Sequence, residues 1–178
     1  MHRRVVLLVL FSLAFVVFSF AQKDKSQRPS PPAQAQCQFS DGKSIAVDYS
    51  SPRAKGRKIF GDLVPYGEVW RTGANEATTF ATTANTKAGS LTIPAGNYTI
   101  FTIPNQGKWT LIINKKTGEW GIPYNYESDE LGRVDMKVSQ TSSMIENFTI
   151  SFDQMGNSCT MNISWENSKA SVPFAEAK

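Results

Sequence analysis

Apolar and polar residues alternate with a period of two along much of this chain. The pattern runs through Ile45-Val47-Tyr49, Trp109-Leu111-Ile113, Val134-Met136-Val138, Phe148-Ile150-Phe152 and Cys159-Met161-Ile163-Trp165. A period of two puts successive side chains on opposite faces of a pleated strand, so each run predicts a strand with one face in a core. Residues 97–103, NYTIFTI, add a stretch rich in β-branched and aromatic side chains that stops at Pro104. Turn formers separate the runs: Asp41-Gly42, Pro94-Ala95-Gly96, Asn105-Gln106-Gly107, Thr117-Gly118 and Gly156-Asn157. Together they predict about nine strands in an all-β fold, an antiparallel sandwich or jelly roll rather than a series of βαβ units.

One stretch breaks the pattern. In KGRKIFGDLVPYGEVWRTGANEATT, Lys55 to Thr79, four glycines at 56, 61, 67 and 73 cut the chain too finely for a long helix or strand. A long Gly-rich loop near 53–76 is expected, with room for one short helical turn over Lys58 to Leu63. Loops that carry charge, amide and aromatic groups on a rigid scaffold are where binding sites concentrate.

The N-terminus reads as an export signal. Arg3 and Arg4 precede Val5 to Phe18, apolar apart from Ser12, and Ser19-Phe20-Ala21 offers small residues for cleavage before Gln22. The apolar run is shorter than the ~20 residues that span a bilayer, and after removal of residues 1–21 no transmembrane segment is expected. An exported protein, periplasmic or secreted, follows. Residues 22–36, QKDKSQRPSPPAQAQ, are polar and proline-bearing and read as a flexible leader, with a single domain over 37–175.

Cleavage changes the available chemistry. Loss of Arg3 and Arg4 reduces 19 basic residues to 17 against 15 acidic ones, a net charge of +2. Without a dense basic cluster, this is too small to argue for nucleic acid. His2 is the only histidine and leaves with the signal. Imidazole bases, histidine-activated nucleophiles and histidine metal ligands are thereby excluded from the mature protein. No metal or other cofactor is expected.

Candidate chemistry concentrates in the Gly-rich loop. Arg57 and Arg71 are suited to clamp a carboxylate, phosphate or sulfate with paired guanidinium hydrogen bonds. Asn75 and Glu76 would orient hydroxyls of the same ligand, and Trp70 or Trp120 would supply an aromatic face. A carbohydrate or small anion is the ligand class these groups fit. Two other readings use the same residues. Arg71 paired with Glu76 or Glu68 would make a closed polar network that only fastens the loop. Glu76, with Asp62 or Glu68, would be the candidate acid or base of a histidine-free hydrolase acting on envelope or extracellular polysaccharide. Tyr124 and Tyr126, close to Trp120, extend the set of loop aromatics.

The blocks DYSSPRAKGRKIFGDLVPYGEVWRTGANEATTF, IPAGNYTIFTIP, WTLIINKKTGEWG, LGRVDMKV and SVPF, in that order, resemble the exported bacterial proteins grouped as domain of unknown function 2911. The resemblance runs from about Ser40 to Phe174 and implies export and one β-rich domain, with no activity, cofactor or catalytic residue to carry over. Independently of it, Cys37 and Cys159 are the chain's two cysteines. In an oxidising compartment, an early and a late strand of a sandwich are placed to join in a disulfide. Two separate buried thiols are the alternative.

Overall fold

The computed structural model describes residues 24–177; the expected signal segment, residues 1–21, lies outside them. The fold is all-β. Its strands are β1 (Pro32–Gln38), β2 (Ser44–Ser50), β3 (Thr79–Thr82), β4 (Thr86–Ala88), β5 (Leu91–Ile93), β6 (Gly96–Ile103), β7 (Lys108–Asn114), β8 (Glu130–Met155) and β9 (Ser158–Glu176). All nine join one antiparallel sheet in the order β1-β2-β3-β6-β7-β8-β9-β4-β5. Among the described residues the helical structure is two three-residue 3-10 turns, Lys25–Gln27 and Glu127–Asp129.

The alternating runs lie where their period places them. Ile45 and Val47 of β2, Trp109, Leu111 and Ile113 of β7, and Cys159, Met161, Ile163 and Trp165 of β9 all enter one core. The runs around Val134 and Phe148 belong to a single long strand, β8. Its ladder with β9 slips between Gln140 and Thr149, where nine steps along β8 face four along β9, Ser168 to Ser164. Glu166 has φ 55° at the same place. Inserted residues flip the faces of everything beyond them. The buried positions of β9 accordingly switch from odd, ending at Trp165, to even at Ala170, Val172 and Phe174.

This irregular hairpin returns the sheet upon itself. Ala54 N–H donates to Glu146 O, Phe148 N–H to Pro52 O, and the Gln154 side-chain amide to Gln38 O. Cys37 of β1 and Cys159 of β9, strands that are not ladder neighbours, form a disulfide with Cα atoms 6.0 Å apart. Both ends of the sheet therefore pack around the same apolar interior, an arrangement compatible with the expected sandwich.

Two expectations change. Residues 32–36 are strand rather than flexible leader: Ala33 and Ala35 turn inward while Gln34 and Gln36 face solvent, and the main chain pairs with β2 from Pro32 to Gln38. Main-chain pairing with a neighbouring strand needs little side-chain bulk, which is why composition hides this strand. Residues 58–63 hold no helix. Val64 N–H donates to Ile59 O and Gly61 N–H to Val64 O, closing a compact turn instead.

Candidate functional site

The Gly-rich loop is anchored by apolar plugs at intervals. Ile59, Phe60 and Val64 are buried in the core. Trp70 pairs both its backbone groups with Thr102 of β6, at 2.8 and 2.9 Å. Its indole stacks on Trp165, centroids 6.1 Å apart at 17°, and meets Phe60, Trp109 and Phe148 edge-on. Such a cluster fixes the loop by area and geometry together.

Beyond Trp70 the backbone doubles back. Thr72 and Asn75 have φ 57° and 59°, and Gly73 has φ 154°. A Cβ at Gly73 would come within 3.0 Å of Ser50 O and 3.1 Å of Thr78 Oγ1, so glycine is required there. The Trp70 Nε1–H donates to Gly73 O, Thr78 Oγ1 donates to Thr72 O at 2.7 Å, and the Thr72 and Thr102 hydroxyls lie 3.1 Å apart. Side-chain hydroxyls thus satisfy a turn that has no ladder of its own.

Arg71 emerges from this frame. It stacks over Trp120, guanidinium carbon to ring centroid 5.0 Å, and its Nη1 donates to Trp120 O at 3.4 Å. Burial pushes its pKa down, and the Glu76 charge pushes it up. Arg57 is oriented by its own turn, donating through Nε to Ala54 O and through Nη2 to Arg53 O. Among the described residues neither guanidinium has a carboxylate within ion-pair distance. Both line one open cleft of about 330 Å³, together with Ser30, Leu63, Trp70 and Ile122.

The expected constellation therefore divides. Arg57, Trp70 and Arg71 meet at this cleft, and Trp120, 56% exposed, lies against Arg71. Asn75 and Glu76 face the N-terminal segment instead. Asn75 Nδ2 donates to Ser30 O, and Glu76 accepts from Arg28 Nη1 at 2.7 Å with Lys25 Nζ at 3.4 Å. The Arg28 hydrogen bond, with help from the Glu76 backbone amide and Lys25, lowers the Glu76 pKa to about 2. A carboxyl held there remains ionised near neutrality and cannot act as a general acid. Glu76, Arg28 and Lys25 border a smaller depression of about 180 Å³. Asp62 and Glu68 are exposed and do not line the larger cleft.

Tyr124 and Tyr126 are not an open platform. They cover Phe101 on the outer face of β6 and β7, with centroids 4.8 and 6.1 Å away, as part of a second apolar cluster with Ala77 and Ile112. The Tyr124 hydroxyl donates to Glu130 at 2.6 Å. Leu63, Ile122 and Ser30 at the cleft carry no sequence signal of their own. Among the described residues, no group of three or more His, Cys, Asp or Glu side chains is placed to hold a metal ion. Nor is any helix among them long and apolar enough to cross a membrane.

The family model described as "Protein of unknown function (DUF2911)" matches residues 30–174, and the chain belongs to that family. No curated protein and no solved structure matches it.

Proposed function

We propose that this member of the family is an exported binding module that holds a small anionic ligand, a carbohydrate acid included, between Arg57 and Arg71. The observation that carries this reading is the pair of guanidiniums lining one cleft without an acidic partner among the described residues, beside the indole of Trp70. A partly buried cation is stabilised when an anion replaces its lost hydration, and a guanidinium offers paired donors to a carboxylate, phosphate or sulfate. Export is supported by the basic and then apolar N-terminus and by the disulfide, a bond that persists in oxidising compartments. Closed-network fastening does not account for Arg71, whose polar contact among the described residues is a long hydrogen bond to one carbonyl. Hydrolysis lacks its candidate acid or base at the cleft, since Glu76 is ion-paired outside it.

Calorimetric titration with acetate, glucuronate, phosphate and sulfate tests the proposal. At least one should bind saturably, and Arg71→Met should weaken it about tenfold or more, the worth of a charge-assisted hydrogen bond. The same variant should unfold within about 1 kcal/mol of the parent, because no buried carboxylate is left unpaired. Absence of binding by all four anions, or unchanged affinity in Arg71→Met, would overturn it.

A further inference from the structure

Resting on that anion-binding reading, we infer that the ligand is amphiphilic: a carboxylate head between the two arginines, carrying an apolar chain. The cleft is lopsided in its chemistry. Its charged groups, Arg57 and Arg71, are donors only, and Ser30 carries the single side-chain hydroxyl. Leu63, Trp70 and Ile122 make apolar wall, and among the described residues no acidic or amide side chain lines it. A sugar presents several hydroxyls, each a donor as well as an acceptor, and so needs acceptors in its site. Of the loop's side-chain acceptors, Glu76 and Asn75 are instead engaged with residues 25–30, and Asp62 and Glu68 lie off the cleft.

The rim adds a second argument. Leu63 is 46% exposed and Ile122 42%, and Trp120, stacked on Arg71, extends the same apolar border. Large apolar side chains gathered at the mouth of a cleft mark an interaction site more often than a chance surface. With a carboxylate on the guanidiniums, an alkyl chain along Trp70 toward Leu63 and Ile122 would cover this surface, whereas acetate or phosphate would leave it in water. At about 330 Å³ the cleft lies at the small end of ligand pockets, roughly 300–1,000 Å³, which suits a short chain rather than a whole lipid.

The test is a titration of the folded, disulfide-intact protein with octanoate, acetate, glucuronate and octanol, read by calorimetry and by the fluorescence of Trp70 and Trp165. Octanoate should bind at least about 30-fold more tightly than acetate, the effect of burying two or three methylenes. Leu63→Ser, at an exposed position, should lower the octanoate-to-acetate affinity ratio about fivefold or more. Octanoate no tighter than acetate or glucuronate would overturn the amphiphile and leave the small-anion reading standing. Octanol equal to octanoate, with Arg71→Met inert, would overturn the anion reading and this inference with it. Vesicles of anionic phospholipid bound in the absence of octanoate binding would move the site to a membrane surface and overturn the free ligand. No saturable binding of any probe up to about 10 mM overturns both.

Discussion

Glu76 sits among the residues that sequence marks as a ligand site, yet its carboxylate serves the chain itself. Arg28 lies 48 positions upstream, in a polar stretch whose composition argues against structure, so the pair was invisible to sequence reading. Proximity between segments that distant is set by the sheet, through β1 pairing with β2 and β2 with β3. Arg71 illustrates the converse: its chemistry was legible from residue type, but its lack of a carboxylate partner among the described residues was not. The depressed pKa of Glu76 has a pH signature. Its ordinary value is near 4.5 and its folded value about 2, so the folded state favours the ionised form. The stabilisation is fully present above about pH 4.5 and is lost as pH falls toward 2. The side chain is 43% exposed, and solvent screening limits the contribution to about 0.5–1 kcal/mol. Glu76→Gln should therefore lower the unfolding free energy by about that much at pH 7, with the gap narrowing as pH falls below 4.5. Denaturant titrations of parent and variant at pH 7 and pH 3 would measure it, and a gap that widens on acidification would refute the assignment.

At the scale of elements, the loop of residues 115–129 between β7 and β8 decides where Trp120 stands. Gly121 has φ 93°, and a Cβ there would lie 2.9 Å from Ala77 Cβ, 3.1 Å from Phe101 Cε1 and 3.2 Å from Arg71 Cβ. The glycine lets the loop settle onto the outer face of β6 and carry Trp120 over Arg71. Gly121→Ala should destabilise the protein by about 2–3 kcal/mol, combining an unfavourable backbone with a close contact. It should also loosen the Arg71–Trp120 stack, which a shift in Trp120 fluorescence emission would detect. An alanine variant as stable as the parent would show that the loop is not seated as described. Strands were legible here wherever alternation held, because one buried face imposes a period of two on the sequence. Less legible was the continuity of β8, since the extra residues between Gln140 and Thr149 interrupt the period. The switch of β9 from odd to even buried positions at Glu166 is hidden for the same reason. A bulge preserves the strand and erases its periodic signature.

Across the whole molecule, the all-β class follows from many local signals that agree, whereas the strand order depends on contacts between distant segments. Nothing in the local pattern states that β4 and β5, from the middle of the chain, add to the far side of β9. The cysteines gave one long-range constraint, and it links the first strand of this order, β1, to β9, six places along it. Cys37 and Cys159 are 122 positions apart, on strands that share no ladder, and both are buried. In the oxidised unfolded chain the bond would hold closed a loop spanning most of the domain. The chain-entropy model gives ~4–5 kcal/mol for a loop of this length, and measured losses on removing native disulfides are typically about 2–5 kcal/mol. We expect the double variant Cys37→Ala/Cys159→Ala to lose about 2–5 kcal/mol of unfolding free energy. Its denaturant dependence should steepen, because the unlinked unfolded chain exposes more surface. The same two changes should appear in the parent when the bond is reduced before unfolding. Lost stability with an unchanged slope would place the effect in native packing around the cysteines rather than in the unfolded chain. An unchanged midpoint and slope would mean that the ladders and core close the sheet without the bond.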